Sequence, residues 1–128
     1  MPTDVTARWA LLVAVLGTLG IAVLSLVPIQ LRPHVLAVSQ FEHVGAYFAT
    51  AAAFAIALRK PREVIGVIVF LSLLAAALEV AQFWVPGRTS RISDWIAGTV
   101  GASAGVILVL GLSWAAIAAR RGVVRWRD

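Results

Sequence analysis

Two stretches of this chain run without a formal charge for longer than a bilayer is thick. Between Arg8 and Arg32 lie 23 residues with neither acid nor base, and 25 more run from Trp95 to Ala119. A helix rises 1.5 Å per residue, so about 20 apolar residues cross a hydrocarbon core of about 30 Å. Inside that core no water satisfies the backbone, which restricts a spanning segment to a helix or a strand of a closed barrel. The runs lack the two-residue alternation of barrel strands, so the expected fold is all-α.

Four spans follow. The first covers about 9–27 and stops at Pro28, because proline has no amide hydrogen to continue a helix. Only 15 residues, Val44 to Leu58, separate His43 from Arg59. They are too few to cross alone, so the second span is placed at about 38–58 with Glu42 and His43 at its edge. The third covers about 64–84 and contains Glu79. The fourth, about 95–119, is long enough to cross with tilt. Together they make residues 1–128 one polytopic, four-helix transmembrane domain. The first run exceeds the apolar segment of a signal peptide, and residues 36–39 offer no small-x-small cleavage pattern, so that span is expected to be retained.

Composition closes off other classes. Hydrophobic residues make up 61% of the chain and charged residues 13%, against roughly 45–50% and 25% in soluble proteins. A small soluble domain could not cover its surface with so few polar groups. A soluble enzyme and a disordered chain are thereby excluded. The net charge of +5 would suggest nucleic acid only on a soluble folded face; here the bases cluster beside apolar runs, as membrane flanks do. There is no cysteine, hence no disulfide or thiolate metal site.

The arginines and lysine also set an orientation. Arg8, Arg59, Lys60, Arg62, Arg120, Arg121, Arg125 and Arg127 fall on one side of the four spans, and Arg32, Arg88 and Arg91 on the other. The positive-inside rule therefore places both termini in the cytoplasm. Glu42, Glu79 and Asp94 lie with the three arginines of the outer side, so the outer charges balance.

Helical spacing aims these groups inward. Ser39, His43, Tyr47 and Thr50 share one face of the second span. Ser72, Ala75, Ala76, Glu79 and Gln82 form a small and polar stripe on the third. Asp94, Ala97, Gly98, Gly101 and Gly105 form another on the fourth, and small residues let helices approach closely in lipid. The stripes bring His43, Tyr47, Glu79, Gln82 and Asp94 toward a common point, with Arg88 and Arg91 in the loop above. A carboxylate such as Glu79 facing lipid costs about 2.5–3.5 kcal/mol at a span centre, less near an edge. An arginine partner, protonation or a hydrogen bond from Tyr47 or Gln82 would each relieve that cost.

Three blocks resemble the VanZ-like membrane protein family. Glu79, Gln82, Pro86 and Arg88 are similar to its Glu-x-x-Gln-x-x-x-Pro-x-Arg signature. His43 and Tyr47 match the His-x-x-x-Tyr at the start of its second span. Asp94, Gly98 and Gly101 follow its Asp-x-x-x-Asn-x-x-Gly. The likeness runs from about Phe41 to Gly105, with the blocks in the same order and spacing. It departs at Ser39 and Gln40, where the family often has Asp-Lys, and at Gly98, where it has Asn. The resemblance implies a role in the bacterial envelope and a place in the inner (plasma) membrane. The founding member is associated with low-level resistance to the glycopeptide teicoplanin, which links the type to antibiotic tolerance.

The residues themselves favour an outer-leaflet site that binds or processes an envelope lipid or lipid-linked glycan. Arg88 and Arg91 would take phosphate, for which guanidinium geometry is suited. Glu79, His43 and Asp94 would then serve as acid, base or metal-binding groups. One alternative is an assembly module whose polar cluster only fixes helix packing, at about 0.6 kcal/mol per interhelical hydrogen bond. Another is a small transporter or flippase subunit, for which an oligomer would supply the pathway. Whether bonds are made or broken stays open. His43 with Glu42, Glu79 and Asp94 could hold a divalent cation through nitrogen and oxygen ligands, but no ligand-spacing motif supports that, so no metal and no cofactor is expected. The expected partners are membrane lipids and not nucleic acid.

Overall fold

A computed structural model of the chain describes residues 3–31, 39–58 and 60–125. Arg32, Arg59, Arg127, the residues at 36–38 and the side chains of Ser39 and Arg125, all used above, lie outside that description. The described residues form four helices and no strand: α1 (Asp4–Leu26), α2 (Ser39–Ala57), α3 (Pro61–Ala81) and α4 (Ile92–Arg125). Short 3-10 turns follow α1 and α3, at Ile29–Leu31 and Gln82–Trp84.

Several boundaries have a local cause. α1 begins before the apolar run because the Thr3 hydroxyl accepts the Thr6 amide and Asp4 sits in the positive first turn. Pro61 opens α3 at a position where its missing amide hydrogen costs nothing. α4 starts three residues before the expected 95 and continues to Arg125, with Asp94 in its first turn. Its 34 residues give about 51 Å of helix, well beyond the hydrocarbon thickness. Three helical stretches are long and apolar enough to cross a membrane: Asp4–Leu26, Pro61–Trp84 and Ile92–Arg121. α2, with 19 residues, is the short one.

α2 is also the central one. Its largest interface is with α4 and its next with α1, while α3 packs chiefly on α4. The core is small-residue packing around a few larger side chains: Tyr47, Ala51 and Ala55 of α2, Leu71 and Ala75 of α3, Ala102 and Val106 of α4. Most large apolar side chains point outward, among them Leu16, Leu73 and Ile107. That inside-out distribution suits a lipid solvent, where apolar burial between helices contributes little and close van der Waals contact does the work.

The seam between α2 and α4 is a glycine contact. A Cβ at Gly101 would overlap the backbone carbonyl of Val44, and one at Gly105 the carbonyl of Phe48. One turn earlier, a Cβ at Gly98 would stand 3.1 Å from the Tyr47 ring. The polar face of α2 is divided between two neighbours: Tyr47 lies against Gly98 of α4, and Thr50 against Gly17 of α1.

Candidate polar site at the end of the bundle

The end of α1, the start of α2, the end of α3 and the start of α4 meet at one end of the bundle. The loop between α3 and α4 organises that end. Val85, Pro86, Gly87 and Arg88 make a turn closed by the Arg88 amide donating to the Val85 carbonyl at 3.2 Å. Gly87 has φ 74°, the left-handed conformation required at the third position of a type II turn, with proline favoured at the second. The turn carries Arg88 back over α1. There its Nε donates to the Val27 carbonyl at 3.0 Å, and its Nη2 bonds the Leu24 carbonyl. Leu24 lies in the last turn of α1 and Val27 caps it, where helix acceptors lack internal partners and a cation is favoured.

Below the turn, the helices deliver three ionisable side chains to one point. Ligand atoms of His43 from α2, Glu79 from α3 and Asp94 from α4 all lie within 4.8 Å of one another. Glu79 is 8% exposed and Asp94 7% exposed, while His43 is half-buried. The Arg91 backbone amide, just before α4, donates to Glu79 Oε2 at 2.8 Å. A carboxylate is thereby pinned by an amide that the helix start leaves without an internal partner. The Ser93 hydroxyl donates to Asp94 Oδ1 over a long 3.4 Å, and Gln40 Nε2 reaches Ser93 Oγ at 3.5 Å. The His43 and Tyr47 rings stack at 6.5 Å between centroids, 14° from parallel.

An open groove of about 520 Å³ runs from this end down the α1–α2 flank. Its walls are apolar along Ile21 and Leu24 and turn polar at Glu42 and His43. Gly20 and Gly45 line it, and a Cβ at either would meet nothing within 4 Å. Its volume lies in the ~300–1,000 Å³ range of small-molecule sites.

The residues singled out in the sequence take distinct places. His43, Glu79 and Asp94 converge. Tyr47, 2% exposed, backs His43, and Gln82 is buried where α3 passes into its 3-10 turn. Glu42 lines the groove. Arg88 is turned toward α1, and Arg91 engages Glu79 through its backbone while its side chain is exposed. Gly98, Gly101 and Gly105 lie in the α2–α4 seam. The Arg91 amide was not legible as a site group, since a backbone donor carries no sequence signal, and Ser93 was not singled out in the sequence. The Trp95 indole donates to the Ser72 carbonyl at 3.1 Å, and the Ser72 and Thr99 hydroxyls bond at 2.8 Å, tying α3 to α4.

Two of the departures from the VanZ-like pattern, at Gly98 and Gln40, have local accounts. The Tyr47 ring fills the space beside position 98, so a longer side chain there would require the ring to move. Gln40 reaches toward Asp94 through Ser93. Searches among curated proteins and among solved structures give no match. The family comparison does: the VanZ/LLP1 family matches residues 10–115, which takes in all three convergent side chains, the whole of α2 and α3 and most of α1 and α4, so this chain is a membrane protein belonging to the VanZ/LLP1 family.

Proposed function

We propose that the groove and the polar point above it form a binding site for an envelope lipid with a phosphate- and hydroxyl-bearing headgroup, a lipid-linked glycan in its fullest form. The observation that carries this is the double role of His43, which lines the groove and belongs to the convergent triad. An apolar wall beside Ile21 and Leu24 suits an acyl or prenyl chain. The groove's polar end, with Glu42 and His43, suits a headgroup rich in hydroxyls, and the exposed Arg91 nearby suits its phosphate. A site with this mixture of acids and bases accepts a mixed headgroup better than a bare anion. A link to glycopeptide tolerance would follow from handling such an envelope lipid.

All four helices cross the bacterial plasma membrane in this proposal, with both termini in the cytoplasm and the polar site under the outer leaflet. α2 supports a full crossing by its pairing with α1. Its first turn reaches the α4 start through Gln40, while Ala57 and Leu58 at its other end lie beside Asp4 and Arg8 of α1. The chain lacks native cysteine, so labelling is clean. Thr89→Cys should react with an impermeant thiol reagent added to intact cells, and Lys60→Cys only after permeabilisation; the reverse pattern would overturn the orientation.

The lipid reading is tested by native mass spectrometry of detergent-purified protein. The probes are a polyprenyl-diphosphate-linked sugar, phosphatidylglycerol and phosphatidylcholine. Gly45→Leu fills the groove from a position with no neighbours, whereas Gly66→Leu adds the same side chain in open space on α3, away from the groove. Retention of the glycolipid by the native chain and Gly66→Leu, with loss of at least about tenfold in Gly45→Leu, is the expected result. Equal retention of all three lipids by all three proteins would discard the proposal.

A second role has its own observation. The Arg88 bonds to α1 and the Arg91 bond to Glu79 hold the loop and helix ends together, as an assembly module would require. Glu79→Leu that folds and keeps envelope function would favour that role over the lipid site.

A further inference from the structure

Three helices bring an imidazole and two carboxylates to one buried point, and nothing in helix packing requires that combination. We propose that His43, Glu79 and Asp94 bind a divalent transition-metal ion, of the zinc type, at the polar end of the groove.

The donor set is one nitrogen and two oxygens, a mixture that suits zinc, manganese or iron and is poorly matched to magnesium or calcium, which favour oxygen alone. The spacing is close to what an ion needs. Donors around a tetrahedral zinc, each about 2.0–2.2 Å from it, stand about 3.3–3.6 Å apart. The three ligand atoms lie within 4.8 Å of one another, at most about 1 Å wider than that spacing.

Charge gives the second reason. Both carboxylates are more than nine-tenths buried, and two like charges at this separation disfavour each other in a medium that screens poorly. Among the described residues neither is in a salt bridge with a lysine or arginine. A dication between them offsets both charges at once.

The surroundings supply what a ligand set requires from its neighbours. The Arg91 amide fixes one oxygen of Glu79, the Ser93 hydroxyl reaches Asp94, and the Tyr47 ring lies along the imidazole. Such outer contacts orient ligands and sharpen affinity. Three protein ligands leave a fourth position open, the arrangement of zinc sites that act on exchangeable ligands. His43 also lines the groove, so an ion here sits where a headgroup oxygen would arrive. The ion itself rests on the triad alone and needs no lipid.

The test uses the full chain in detergent, stripped with a chelator and dialysed against Zn²⁺, with metal read by elemental mass spectrometry. About one Zn²⁺ per chain is expected for the native protein. His43→Ala and Asp94→Asn should each weaken uptake by at least about tenfold, while Glu63→Gln, at the far end of α3, should match the native chain. Replacement by Co²⁺ should give a visible absorption band in the native protein, which reads the site even where a variant does not fold. Native protein that takes up no Zn²⁺ and shows no Co²⁺ band overturns the proposal, as does uptake unchanged in both triad variants. The lipid measurement on the same sample separates the two ideas: lipid retention without zinc sinks only the ion, and zinc uptake without lipid retention sinks only the lipid site.

Discussion

α2 meets α4 and α1 through glycines in both directions, and the two interfaces are opposites. Toward α4, Gly101 and Gly105 lie so close to the carbonyls of Val44 and Phe48 that no Cβ could be accommodated. Toward α1, a Cβ at Gly17 would overlap the Thr50 hydroxyl, a side-chain group and not backbone, and Gly20 and Gly45 face open space and form the walls of a groove. One residue type closes one seam and holds the other apart. In lipid, where helices associate by contact rather than by escape from water, a closed seam supports the fold and an open one leaves room for a lipid-sized guest. The polar site sits where they meet, since His43 lies at the groove's end and its stacking partner Tyr47 lies in the α4 seam.

The largest effect that could break this contrast is at Gly101. In Gly101→Val the new side chain runs into backbone, which cannot rotate away, so α2 and α4 must separate. Overpacking of this kind costs about 1–3 kcal/mol or more. The expected outcome is a clear fall in the thermal midpoint of the detergent-purified protein, together with loss of lipid and zinc binding, because Glu79 and Asp94 would no longer face His43. A variant with native stability would mean that the seam is not closed in the membrane.

Much of this was legible in the sequence. Apolar run length gives the first and last helices, because crossing a bilayer imposes a length that few other folds demand. The 15 uncharged residues before Arg59 are too few, so α2 had to be extended past Glu42 and His43. The stripe of Asp94, Ala97, Gly98, Gly101 and Gly105 could be read as inward-facing because residues three and four apart were small or acidic, and all five are buried. The convergence of His43, Glu79 and Asp94 followed from three such stripes sharing one end. The true ends of α4 were less legible, since Ile92 and the arginines after Ala119 are helical by continuation and not by hydropathy. The direction of Arg88 was not legible at all. Its side chain is aimed by the φ of Gly87 and by carbonyls 61 and 64 residues earlier in the chain, and periodicity carries no information on either. Nor could glycine spacing distinguish the seam from the groove, since both look alike as letters; the difference lies in what stands opposite.

The smallest expected effect sharpens the same contrast. Gly20 lies within α1 and lines the groove, and a methyl group there would touch nothing within 4 Å. Replacing a helical glycine with alanine removes backbone freedom from the unfolded chain and favours the helix by up to about 1 kcal/mol in water. A lipid-embedded helix, already held by its own hydrogen bonds, should gain less. Gly20→Ala is therefore expected to leave the thermal midpoint unchanged or slightly raised, and a single methyl group is too small to close a groove of about 520 Å³, so lipid retention should persist. The measurement is a paired thermal unfolding series of Gly20→Ala and Gly101→Ala in one detergent. If Gly20→Ala falls as far as Gly101→Ala, α1 packs against α2 as tightly as α4 does, and the groove has no volume for a chain to enter.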